Sequence, residues 1–283
     1  MHSDDNEIEG VAAFFHGWAM EAIQVGPRLE RTLVSCNSSR STRTLRLEAG
    51  SAMVLRGRVH ESSSCVLLSA SPDPAARFMG IPLRVTDLVL AGADAQINLF
   101  VPSAAIIFVL VVQDSGPIPP RALRLCDDAA TLGLAQQIKQ QHTGKRSASL
   151  ATQLEAALEA SRVLPVASAR VAAVMSACKY IESRFPAALT LSDISRKSGI
   201  GERTLEYGFR EVCDTTPLTF ARSLRLTRSR MALVHAGRYT PINETAKAAG
   251  FTHMGQFSRD YFRWFGETPS TTLARARPNG RSA

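Results

Sequence analysis

The sequence predicts an α+β chain in two unlike parts, a β-rich first part and an all-α second part. Three observations carry this prediction. Short apolar runs bounded by Ser, Pro, Gly and Asp fill residues 1–118. A helical period takes over from about Arg121, and a segment of the last third occurs twice, about fifty residues apart. At 283 residues the chain is long enough for two separate cores.

In the first part, "RTLVSCN" and "RTLRLEAG" alternate polar and apolar residues, the pattern of a half-buried strand. "SSCVLLSAS", "LRVTDLVLAG" and "AAIIFVLVVQ" are apolar runs of strand length. Strands at roughly 10–15-residue spacing favour a sandwich or a small barrel. "DSGPIPP" (114–120) ends the pattern with three prolines, and residues 1–118 are predicted as one β-rich domain.

Residues 119–168 are predicted as a helical linker or dimerisation region. "RALRLCDDAATLGLAQQIKQQ" places Leu123, Leu134 and Ile138 at helical spacing. After "GKRSAS", "LATQLEAALEASRVL" resumes with Leu150, Leu154, Ala157 and Leu158 on one face. Such a pair either packs on a domain or joins two copies of the chain.

Residues 169–275 read as helix throughout, followed by a flexible tail at 276–283. "VAAVMSACKYIESRF" is a first helix stopped by Pro186, and Ser192 is the expected N-cap of the next. From Arg170 onward 18 Lys and Arg stand against 9 Asp and Glu, whereas the first 169 residues hold 15 against 16. All of the positive excess therefore sits in the helical part. A basic domain beside a neutral one points to a polyanionic partner, nucleic acid first.

The duplication gives that charge a geometry. Leu191, Ile194, Ser195 and Gly199 align with Ile242, Thr245, Ala246 and Gly250, and Leu205, Phe209 and Pro217 with Phe257, Tyr261 and Pro269. Each copy fits a helix-turn-helix. A small residue lets the second helix approach the first, and a glycine four residues later supplies the positive φ that ends the first helix. An apolar pair at i, i+4 then anchors the second helix from inside and leaves its outer face for a major groove. The aromatics of "GFTHMGQFSRDYFRWFGETPS" are expected to form the packing face, with its arginines outside. Between the copies, "TFARSLRLTRSRMALVHAG" is one connecting helix, with Phe220, Leu224, Met231 and Leu233 inward and Arg222, Arg225, Arg228 and Arg230 more exposed. Two units on one rod would enter successive grooves roughly 34 Å apart.

Several chemistries find no framework. Cysteines 36, 65, 126, 178 and 213 are scattered without a C-x-x-C, and the six histidines form no H-x-H or H-E-x-x-H. Neither a phosphate-binding GxxxxGK nor a G-x-S-x-G elbow occurs, so no catalytic residue, metal or cofactor is expected. Cys36 and Cys65 are either redox-sensing or inert buried thiols. His60 is expected to be structural or exposed. The N-terminus lacks a basic segment followed by an apolar core, and the longest apolar run, "SAAIIFVLVV", falls short of the ~20 residues of a membrane span. The expectation is a cytoplasmic protein with no membrane partner.

"RLTRSRMAL" followed by "INETAKAAGFTHMGQFSRDYFRWFGETPS" resembles the C-terminal domain of the AraC/XylS transcriptional regulators, and the resemblance covers about residues 171–275. "GIPLRVTDLVLAG" and the apolar strand after it are similar, more loosely, to the cupin-like sensor domains such regulators carry. The resemblance implies a sequence-specific DNA-binding regulator, an activator that contacts RNA polymerase. Its N-terminal domain would sense a small-molecule effector or a partner, and the chain would be a homodimer. A ligand-independent assembly domain, or an enzyme domain fused to a DNA-binding tail, are the alternatives.

Carried over residue by residue, the reading helices are Gly201–Arg210 and His253–Phe262. The base-reading positions implied are Arg203, Glu206 and Tyr207 in the first copy, and Met254, Gln256, Ser258 and Arg259 in the second. Arginine and glutamine make paired contacts with guanine and adenine edges, which favours Arg259 and Gln256. Arg259 also suits a phosphate clamp, and Arg210 and Arg263 are assigned to phosphates. Three positions depart from the family pattern. Tyr207 replaces an arginine, Gly201 replaces a Ser or Thr cap, and Asp214 replaces the glycine kept as Gly266.

Overall fold

Short strands, some alternating and some continuously apolar, build two sheets over residues 20–125. In the computed structural model, residues 8–39, 42–72, 76–113, 122–125, 129–142, 168–235 and 241–276 are described. The chain divides into two units, Met1–Ala22 with Leu29–Ser168, and Ile23–Arg28 with Ala169–Ala283.

The first unit opens with α1 (Ile8–Phe14), takes Met20–Ala22 of β1 (Met20–Gln24), whose Ile23 and Gln24 fall in the second unit, and carries β2 (Leu33–Ser38), β3 (Thr42–Glu48), β4 (Met53–Arg58), β5 (Ser63–Ser69) and β6 (Arg77–Phe78). β7 (Ile81–Pro82), β8 (Leu88–Ala91), β9 (Gln96–Val101), β10 (Ile106–Gln113) and β11 (Ala122–Leu125) follow. One sheet runs β1-β4-β9-β6-β7 and the other β11-β8-β5-β10-β3-β2, and neither closes into a barrel. In the second sheet, Val109 of β10 stands opposite Leu45 on one side and Leu67 on the other. The next residues along, Phe108 and Leu110, join Val66, Leu68, Leu88 and Leu90 in a cluster capped by Leu134, Ala135 and Ile138 of α2 (Ala129–His142). Both faces of β10 are therefore covered, and this is why its sequence is a continuous apolar run rather than an alternating one. His142 at the end of α2 lies 2.7 Å from Ser35 Oγ and holds the helix terminus to the sheet.

Several expectations change here. Residues 122–125, read as the start of a helix, form β11, and the helix begins at Ala129. The expected second linker helix, with Leu150 and Leu154, lies outside the described residues. β1, β4 and β9 did not stand out in the sequence. β4 and β9 carry the buried Arg56 and Asn98 opposite each other, and these polar residues interrupt what would otherwise read as apolar runs.

The second unit holds α3 (Ala169–Ser183), α4 (Leu191–Ser198), α5 (Glu202–Cys213), α6 (Pro217–Val234), α7 (Ile242–Ala248), α8 (Met254–Phe265) and α9 (Pro269–Ala276). α6 is the shared rod. The Thr216 hydroxyl caps it by accepting from Thr219 N, and Pro217 sits where no amide donor is needed. Near its start Phe220 meets Phe209 of α5 edge to face, with ring centroids 5.7 Å apart. Further on, Leu226 and Leu233 join Phe257, Tyr261 and Phe265 of α8 in one core.

The arginines of α6 are not all outside. Arg222, Arg225 and Arg228 are half-buried, and Arg230, expected to be exposed, is fully buried. Met231, expected inward, is half-buried. Arg230 donates to Glu267 Oε1 at 2.7 Å and lies 4.8 Å over the Phe265 ring. Residues Ile23–Arg28 also belong to this unit. The indole of Trp264 donates to the Gln24 carbonyl at 3.0 Å, and Arg28 N donates to the Trp264 carbonyl at 2.9 Å.

Candidate nucleic-acid interface

The first repeat is built by α4 and α5. The cap of α4 is Thr190, not Ser192: its hydroxyl accepts from Asp193 N at 3.1 Å, while the Asp193 carboxylate accepts from Thr190 N at 3.2 Å. The Thr190 hydroxyl also donates to Asp193 Oδ2 at 2.6 Å, and this bond and that from the amide, with the Arg196 guanidinium nearby, hold the Asp193 carboxyl below the usual carboxylate range. Gly199 at φ 74° ends α4, as its counterpart Gly250 at φ 82° ends the turn of the second repeat. Leu205 and Phe209, the i, i+4 pair, are fully buried. Gly208 lies against α3, where a side chain would meet Val174 Cγ2 at 2.7 Å. Gly201 gives α5 no side-chain cap, and Asp214 ends it in the left-handed region at φ 53°.

The opposite face of α5 presents Arg203, Tyr207 and Arg210 to solvent, with Glu206 half-buried. Tyr207 is 56% exposed, and the Arg203 guanidinium lies 5.8 Å over its ring. The pair sets a cation beside an exposed aromatic ring.

The second repeat is built by α7 and α8. Phe257, Tyr261 and Phe265 are buried along one face, with successive ring centroids 5.6 and 4.6 Å apart. The Tyr261 hydroxyl donates to Thr272 Oγ1 at 2.8 Å, which ties α8 to α9. Glu267 collects Arg230, Thr272 and Arg275. Burial raises its pKa, but the Thr272 hydroxyl and the two guanidiniums outweigh this and hold it below the usual range. One aromatic departs from the expected packing face: Phe262 is 56% exposed.

Gln256, Ser258, Arg259 and Arg263 are exposed on α8, while Met254 is half-buried against the core rather than outward. The polar residues are linked. Arg259 Nη2 donates to Gln256 Oε1 at 3.0 Å, and Gln256 Nε2 donates to Asp260 Oδ1 at 2.8 Å. The other oxygen, Asp260 Oδ2, accepts from Arg222 of α6. Asp260 and Arg222 were not among the sequence-derived site residues. The signal was present, since Asp260 stands three residues after Phe257 and four before Trp264, on the inward flank of the helix.

Elsewhere, burial pushes the Cys65 thiol up to about 12 and raises Cys36 less, so neither is a ready thiolate. His60 is half-buried, with Nδ1 2.9 Å from Ser62 Oγ. Among the described residues no group of three or more His, Cys, Asp and Glu is placed to hold a metal, and no helix is long and apolar enough to cross a membrane.

Comparison with known proteins finds sequence relatives of the C-terminal part. Residues 194–275 match the helix-turn-helix domain family. The chain is 32% identical over 101 residues to a probable thc operon regulatory protein of Rhodococcus erythropolis, covering 35% of this chain and 30% of that one. It is 30% identical over 97 residues to XylDLEGF operon transcriptional activator 2 of Pseudomonas putida, covering 34% of this chain and 62% of that one. Among solved structures, a probable AraC family transcriptional regulator from Rhodopseudomonas palustris is 34% identical, with 38% of this chain and 98% of that one covered and a TM-score of 0.35. The chain thus spans less than two thirds of the length of these curated relatives.

Proposed function

This chain belongs, through its C-terminal helical unit, to the AraC/XylS family of transcriptional regulators, and from that premise we propose that it activates transcription from promoters read by both repeats. One observation carries the reading. Each repeat buries its apolar i, i+4 pair, Leu205/Phe209 and Phe257/Tyr261, and leaves polar side chains on the outer face of its second helix, Arg203, Tyr207 and Arg210 in the first and Gln256, Ser258, Arg259 and Arg263 in the second.

In this reading Gln256 and Arg259 contact adenine and guanine edges, with Ser258 beside them. Arg203, beside the Tyr207 ring, is the reader of the first repeat, and Glu206 accepts from a cytosine amino group. Met254 contributes apolar contact at its exposed edge. Arg210 and Arg263 hold phosphates. The domains act as a β-rich sensor (1–118), a connecting region (119–168) and the DNA-binding domain (169–275). The sensor responds to a small-molecule effector or partner and governs dimerisation and contact with RNA polymerase.

The test is selection of bound duplexes from a randomised pool by the full chain. Binding to the selected site should fall steeply with salt, and Arg210→Ala or Arg263→Ala should each lower the salt slope by about 1. The double variant Gln256→Ala/Arg259→Ala should lose about tenfold or more of the preference for the selected site over a scrambled one. Equal binding of all duplexes by the unaltered chain would end this reading.

A further inference from the structure

The structure assigns to Asp260 a positioning role: with Arg222 behind it, Asp260 sets which way the Gln256 amide faces and thereby fixes the base that Gln256 selects. The inference rests on Gln256 being a base reader.

An exposed glutamine amide has two faces of opposite meaning, because rotation by half a turn exchanges its donor and its acceptor. An ionised carboxylate only accepts, so the atom turned toward Asp260 is Nε2. A guanidinium only donates, so the atom turned toward Arg259 is Oε1. Reversal would set Oε1 against a carboxylate and Nε2 against a guanidinium, two repulsive contacts at once. Gln256, Arg259 and Asp260 stand at i, i+3 and i+4, the spacing at which helix side chains meet.

The carboxylate is itself held. Its side chain is 7% exposed, and Arg222 reaches Oδ2 from α6, which leaves Oδ1 for the glutamine. Asp260 therefore acts on DNA through Gln256 rather than by contact. What Gln256 keeps free is one N–H and one lone pair on Oε1, side by side. That donor–acceptor pair complements N7 and N6 of adenine. Arg259 keeps its remaining N–H groups for a neighbouring guanine or phosphate.

The experiment uses the full chain and the randomised pool, comparing the unaltered protein with Gln256→Ala, Asp260→Asn and Arg222→Met. Asparagine keeps the size of Asp260 but offers both donor and acceptor, so the glutamine gains its second orientation. The expected result is that one adenine position, the one lost in Gln256→Ala, also loses about tenfold of its discrimination in Asp260→Asn. Arg222→Met should weaken the same position. Affinity for random duplex and the preferences of the first repeat should stay as they were, an outcome that a general loss of structure would not give. If Asp260→Asn does not fold, Arg222→Met alone decides. Retention of the adenine preference in the folded Asp260 or Arg222 variants, with its loss in Gln256→Ala, overturns the positioning role alone. If Gln256→Ala loses no preference anywhere, base reading by Gln256 falls and this inference with it.

Discussion

The two helix-turn-helix units share a plan and differ in how firmly their outer faces are held. In the first, α5 begins without a side-chain cap, ends on a left-handed aspartate, and presents an arginine beside an exposed tyrosine ring. In the second, α8 is backed by a ladder of three buried aromatics, and the Gln256 amide is bonded on both sides. Ordering a side chain on binding costs roughly 0.5–1.5 kcal/mol, so a face already ordered gives up less on contact. Under the proposed reading, sharp discrimination falls to the second repeat and tolerance to the first.

The largest effect should come from breaking the scaffold of the second repeat. Glu267→Ala leaves Arg230 buried without its carboxylate and should destabilise the helical unit by about 3–5 kcal/mol. Unfolding followed through Trp264 fluorescence in a Trp18→Phe background would measure it. The Glu267 carboxyl titrates lower in the folded state than in the unfolded chain. Its contribution is therefore complete above the unfolded value of about 4.3 and disappears as pH falls through the folded one. The gap between the two proteins should close in acid and persist at neutral pH.

A matched pair of glycine changes ranks next. At Gly250 a side chain would stand 2.2 Å from the Pro186 carbonyl oxygen at a positive φ, whereas at Gly199 nothing lies within 4 Å. Gly250→Ala should cost about 3 kcal/mol from strain plus overlap, and Gly199→Ala about 1 from strain alone. Equal melting shifts would remove the claimed asymmetry. The smallest effect should be a gain: Asp214→Gly relieves the left-handed aspartate that ends α5 and should stabilise the unit by about 0.5 kcal/mol in the same assay.

The repeats were legible because helix-turn-helix packing depends on a few residue types at fixed offsets, and Gly199, Gly250 and the two i, i+4 pairs satisfy them. The cap of α4 was misplaced by two residues because Thr190 and Ser192 are equivalent in composition, and only the reciprocal bond from Asp193 at the third helical position distinguishes them. Arg230 was misread by charge alone. It follows Arg228 by two residues, which is about 200° around the helix, so it points away from Arg228 and toward the Phe265 ring. The polar relay on α8 was missed for another reason. Arg222 and Asp260 are 38 residues apart, and no local pattern reports such a pairing.

A domain encoded by one uninterrupted stretch can be moved between genes by a single cut, and this helical unit is not of that kind. Ile23–Arg28 supply the backbone carbonyl that receives the Trp264 indole and the amide that meets the Trp264 carbonyl. Transplanting residues 169–283 onto another sensor would strand both groups in water at the end of α8, just past Arg263. Chimeras that carry the short leader along with the helices should keep a native α8 terminus.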